Sequence, residues 1–159
     1  DCDLRKSVLV GRYKVKKGIK GLTHFLSGQS NLDEVIYSTN VENLDVILAG
    51  PVPPNPAELL DSPLYKETVK EMREKYDYVI IDTPPSGLLS DAAIVAQYVD
   101  GAVFVIRQDY TDVDRILEGM EILSGSGAEI TGCILNDVNV RTSESQHYMN
   151  SYRTKGETL

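Results

Sequence analysis

Four short runs of branched apolar residues, set apart by stretches with helical periodicity, constrain the fold of this chain more than any other feature. They read DVILAG at 45–50, YVIIDTPP at 78–85, AVFVIR at 102–107 and ITGCILN at 130–136. Each is rich in Val and Ile and lacks a clean alternation, the pattern of strands covered on both faces. Between them, Ser62 followed by Pro63 marks a helix start, with Tyr65, Val69, Met72 and Tyr76 on one face. A second helix is predicted over 91–98. A third begins at Thr111, with Asp114 in capping-box spacing and Val113, Ile116, Leu117, Met120 and Leu123 as its buried stripe. Leu22, Phe25 and Leu26 suggest a short helix, and Asn31 with Glu34 caps another that carries Leu32, Val35 and Ile36. Helices alternating with buried strands predict the α/β class, a doubly wound, mostly parallel sheet with helices on both faces and without its opening strand.

Composition narrows the class further. With 42% hydrophobic and 25% charged residues over 159 positions, one soluble domain is expected, and 2 cysteines exclude a disulfide framework. Cys133 lies in an apolar run and is expected as a small core residue, which suits a reducing compartment. Net charge is -8, but residues 1–20 alone carry about +5. The whole is therefore a poor ligand for phosphate backbones, and no nucleic-acid partner is expected. The basic end suits nucleotide phosphates, an acidic partner or a membrane surface, or is a solvated loop. Residues 141–159 are polar without an apolar period, so the division predicted is a domain at 1–140 and a mobile tail at 141–159.

Two segments carry carboxylates where chemistry is expected. YVII runs into Asp82, Thr83, Pro84 and Pro85, which puts an acid at the carboxyl end of a buried strand, where open α/β sheets bind ligands. Such an acid can hold Mg²⁺ directly or through water; a polar turn after a strand would use the same residues. In DCDLR, extended chain at 1–5 would point Asp1, Asp3 and Arg5 the same way, and paired acids suit metal binding and removal of a hydroxyl proton. A polar terminus would read the same.

Together these segments resemble the Walker A-prime (DxDxR) and Walker B (VIIDTPP, 79–85) motifs of bacterial protein-tyrosine kinases of capsule and exopolysaccharide synthesis, members of the P-loop NTPase superfamily. The resemblance continues through GLTHFLSG at 21–28, GPVPPNPAELL at 50–60, SDAAIVAQYVDGAVFVIR at 90–107 and ITGCILN, and so covers nearly the whole chain. It implies ATP and Mg²⁺ as cofactors. Asp82 would be the Walker B acid, Asp1 and Asp3 would hold the metal and activate the tyrosine hydroxyl, and Arg5 would lie near the phosphates. Asn136 falls where relatives contact adenine. Tyr148 and Tyr152 in QHYMNSYRTKGETL would be phosphoacceptors. The implied activity is ATP-dependent tyrosine autophosphorylation that regulates polysaccharide synthesis and export. The implied setting is cytoplasmic, at the inner face of the cell membrane, through a membrane adaptor and self-association.

The sequence departs from the family in one respect. A P-loop, G-x-x-x-x-G-K-[ST], needs a Gly-Lys pair, and these residues contain none. The chain alone is therefore expected to be inactive or nearly so. Two other readings compete: a non-catalytic module that docks with a complete kinase or membrane adaptor, and a relative of the partitioning ATPases. His24 and His147 form no site with the cysteines in this reading.

Overall fold

A computed structural model describes residues 1–13, 18–87 and 90–139. Its elements run α1 (Leu9–Arg12), α2 (Leu22–Leu26), a 3₁₀ turn (Leu32–Glu34), β1 (Ile36–Ser38), β2 (Asp45–Ile47), α3 (Pro56–Leu60), α4 (Pro63–Lys75), α5 (Asp91–Ala96), β3 (Ala102–Arg107), α6 (Val113–Gly125) and β4 (Ile130–Asn136). The mixture is that of an α/β protein. Among the described residues the ladders form two pairs, β1 antiparallel to β2 and β3 parallel to β4.

Local signals account for most helices. The Ser62 hydroxyl accepts the Tyr65 amide and Pro63 opens α4, whose buried face is Tyr65, Thr68, Val69 and Met72. Asn31 and Glu34 form the expected capping box, but around a 3₁₀ turn, after which Ile36 enters β1. α6 starts at Val113 with Asp112, rather than Thr111, as its N-cap. The proline-rich run at 50–60 contains α3, because Pro56 supplies the fixed φ of a first helical residue.

The core gathers Cys2, Leu4, Phe25, Val35, Leu60, Tyr65 and Val95, and Tyr98 packs edge-on to Tyr65 with ring centroids 5.9 Å apart. A smaller cluster joins Ala92, Ala96, Leu123 and Ala128, with Phe104 against it. Gly21 and Gly50 let two backbones meet: a Cβ on Gly21 would lie 2.5 Å from the Gly50 nitrogen and the Leu48 oxygen. That approach carries the Leu22 and Thr23 amides onto the carbonyls of Leu48 and Ala49, at 2.7 and 2.9 Å.

Three expectations are corrected. Residues 78–82 form no strand, and Tyr78 and Ile80 are 87% and 92% exposed, because no described segment forms a ladder with them. Tyr78 is thus not a packing residue. Cys133 is exposed, since β4 is exposed over nearly all of its length. The predicted stripe of α6 is only partly buried: Leu123 is covered, whereas Val113 and Leu117 face solvent. β3 alternates half-buried and exposed residues, with Val103 and Val105 on the open side.

Candidate active site

The two acid-bearing segments lie side by side. The Cys2 amide donates to the Asp82 carbonyl at 2.8 Å, and the Asp1 backbone nitrogen donates to the Ile47 carbonyl at 2.9 Å. Residues 1 and 2 therefore bridge the end of β2 and the segment ending in Asp82. Cys2 and Leu4 point into the core, while Asp1 and Asp3 stay half-buried on the other side. Burial raises the Cys2 thiol pKa, and the nearby Asp82 carboxylate adds to the rise.

The alternation ends at Asp3. Its Oδ1 accepts the amides of Arg5 (3.1 Å) and Lys6 (2.9 Å), which turns the chain at 4–6. Asp1 is held as well, accepting the Asp3 amide at 3.2 Å and the Ser7 hydroxyl. Both amides bonded to the Asp3 carboxylate use Oδ1. Asp82 is exposed at the end of its segment, before the buried Pro84.

Arg5 is engaged elsewhere than its predicted role suggests. Its Nε lies 2.5 Å from Asp91 Oδ2, and a terminal guanidinium nitrogen lies 3.0 Å from Oδ1. Asp91, the first residue of α5, was legible only as a helix start. Ser86 and Gly87 pack on α6, where a Cβ on Gly119 would lie 2.9 Å from Ser86 Oγ. Asn136 ends β4, and its carbonyl accepts the Gln108 amide at 3.0 Å. Beside it, an open cleft of about 560 Å³ at the carboxyl ends of β3 and β4 is lined by Ile106, Arg107, Gln108, Tyr110, Ile116 and Leu135. Arg107 pairs with Asp137 at 2.8 Å and sits 4.9 Å from the Tyr110 ring centroid. Asp109 and Asp137, just past the two strands, both take positive φ. Tyr148 and Tyr152 lie outside the described residues. No three His, Cys, Asp or Glu side chains converge on a metal-sized point among the described residues.

The AAA domain family matches residues 2–121. The crystal structure of the VpsO kinase domain is 36% identical and superposes with a TM-score of 0.81 over 87% of this chain and 68% of its own. The chain belongs to the bacterial tyrosine-kinase family. Within that family, the kinase domain of the Escherichia coli tyrosine kinase ETK is also 36% identical, with a TM-score of 0.83 over 90% of this chain and 56% of that one. Tyrosine-protein kinase CpsD of Streptococcus agalactiae is 40% identical over 94% of this chain and 66% of its own length. Tyrosine-protein kinase YwqD of Bacillus subtilis is 37% identical over 86% of this chain and 57% of its own. The chain thus spans less than two thirds of these curated relatives. The bacterial tyrosine kinases carry the P-loop NTPase α/β fold.

Proposed function

We propose that this chain is the acid-bearing portion of an ATP-dependent protein-tyrosine autokinase that regulates capsular or exopolysaccharide synthesis. The observation that carries the reading is the Cys2–Asp82 backbone contact, which brings the DxDxR and VIIDTPP segments together. Residues 1–140 would be the catalytic portion and 141–159 the tail that bears the phosphoacceptors Tyr148 and Tyr152.

The carboxylates fit Mg²⁺, because that ion uses one or two protein carboxylates and fills its octahedron with water and phosphate oxygens. The missing three-ligand cluster is therefore no obstacle. Asp82, exposed at its segment end, and Asp3, which uses Oδ1 for both amides it accepts, are the ligands we favour, with Asp1 alongside. When bound, Mg²⁺ would neutralise phosphate charge. Asp1 and Asp3 would also receive the tyrosine hydroxyl proton. The triphosphate fits less well, since these residues hold no Gly-Lys pair to cradle it, and no transfer step is derived from them alone. Asn136 and the neighbouring cleft, lined by the apolar Ile106, Ile116 and Leu135 and by the polar Arg107 and Gln108, suit a purine base. The polysaccharide-export setting, a membrane adaptor as activator, self-association and a place at the inner membrane face complete the proposal; no helix among the described residues is long and apolar enough to cross a membrane.

A second reading, a docking module without catalysis, is favoured by the exposed Tyr78, Ile80, Val103 and Val105. Phosphotyrosine mapping separates the two. A form carrying a P-loop segment ahead of Asp1 should incorporate phosphate from Mg-ATP at Tyr148 or Tyr152 and lose it with Asp82→Asn. No incorporation in that form, together with tight binding to a complete kinase, would favour the docking module.

A further inference from the structure

The ion pair between Arg5 and Asp91 is not used by the reading above. Asp91 is 1% exposed. A carboxylate so deeply covered loses its hydration, a cost that only close, well-directed donors offset. The guanidinium meets it at two points, 2.5 and 3.0 Å, in the planar fork that suits a carboxylate. The partners are 86 residues apart, so the pair ties two distant segments.

Those segments are the two that carry the candidate acids. One runs from Asp1 to Arg5, and the other begins at Asp82 and reaches Asp91 at the start of α5. They are joined first through Cys2 N–H to the Asp82 carbonyl at 2.8 Å, and again through Arg5 to Asp91. Asp3, between the two joints, accepts the Arg5 and Lys6 amides. Backbone at Arg5 that shifted would carry the Asp3 carboxylate with it.

We propose that Asp91 is a positioning residue, which fixes the Asp1–Asp3 acid turn opposite Asp82 by holding Arg5 at two points. Arg5 on this view acts as a clamp rather than as a phosphate ligand. The proposal rests on the metal-site reading for its consequence, but its geometric claim is tested independently.

The test uses the 159-residue chain, with amide hydrogen exchange and Mn²⁺ titration followed by electron paramagnetic resonance. Asp91→Asn, which keeps the shape and removes the charge, should speed exchange at the Arg5 and Lys6 amides by about tenfold or more, with the α4 amides Thr68 to Met72 unchanged. Arg5→Lys, which keeps the charge and loses the fork, should fall between, and it decides the matter if Asp91→Asn lowers α4 protection as well. Where the parent chain binds Mn²⁺, Asp91→Asn should weaken it about tenfold, the usual scale for a group that orients a ligand. Unchanged exchange in both variants, or faster exchange with unchanged Mn²⁺ affinity, overturns the proposal. In a parent chain that takes up no Mn²⁺, the exchange rates at Arg5 and Lys6 alone decide the role of Asp91, and the metal-site reading is decided by Mg-ATP binding in the form that carries a P-loop segment.

Discussion

The Cys2 amide and the Asp82 carbonyl, 2.8 Å apart, are the point at which the chain's two acidic motifs meet. The sequence between them includes α2, α3 and α4, and the Cys2 side chain, buried against the Tyr65 hydroxyl of α4 at 3.4 Å, anchors the contact. Asp1 and Asp3 reach the site because their neighbours Cys2 and Leu4 belong to the core.

Catalysis by the chain alone should be close to nil. Without a phosphate cradle, incubation with Mg-ATP is expected to leave Tyr148 and Tyr152 unmodified, as read by intact mass and peptide mapping. A Mg-ATP-dependent phosphotyrosine at either position, lost with Asp82→Asn, would contradict this.

Gly21→Ala should destabilise the fold by about 1–3 kcal/mol, the usual cost of overpacking. The new Cβ would meet backbone of Gly50 and Leu48 at 2.5 Å, and backbone cannot swing aside as a side chain can. Gly132→Ala, with nothing within 4 Å, should shift stability by less than about 0.5 kcal/mol. Urea denaturation of both variants checks the contrast.

Tyr76 and Asp45 predict a pH signature. The Tyr76 hydroxyl donates to Asp45 Oδ2 at 2.6 Å, which lowers the Asp45 carboxyl pKa, and the same bond raises the Tyr76 phenol. A depressed acid stabilises above its unfolded value, about 3.9, and loses that contribution as pH falls through the folded value. A raised phenol stabilises below its unfolded value, about 10, and loses that contribution as pH rises through the folded value. The stability gap between the parent and Tyr76→Phe should be level near neutrality and close at both extremes. A gap that stays constant from pH 3 to 11 would rule out this coupling.

Much of this was legible from sequence because it rests on local chemistry. Ser62–Pro63, the Asn31–Glu34 box and the α4 stripe act within one helical turn, and their outcomes follow the residue pattern. The α/β class and β3 and β4 followed from apolar runs bounded by turns. What failed depended on neighbours: YVII reads as a buried strand, yet strand formation needs a ladder partner, and none of the described residues supplies one to Tyr78 or Ile80. The same holds for Cys133 on β4. Asp1, Asp3 and Asp82 were named from motif spacing, and the Cys2–Asp82 contact brings their segments together, whereas the Arg5–Asp91 pair was not legible, because no spacing rule links residues 5 and 91. The turn at 4–6 was also hidden, since it comes from Asp3 bonding its own backbone.

The central claim is that the Asp1–Asp3 and Asp82 segments form the metal side of a nucleotide site. Calorimetry with Mg-ATP tests it most directly, on this chain, on a form with a P-loop segment joined ahead of Asp1, and on that form with Asp82→Asn. Binding by the P-loop form, weak or absent binding by the chain alone, and a loss of Mg²⁺ dependence with Asp82→Asn are the expected results. Equal Mg-ATP affinity with and without Asp82→Asn would contradict the account and leave these carboxylates a structural role.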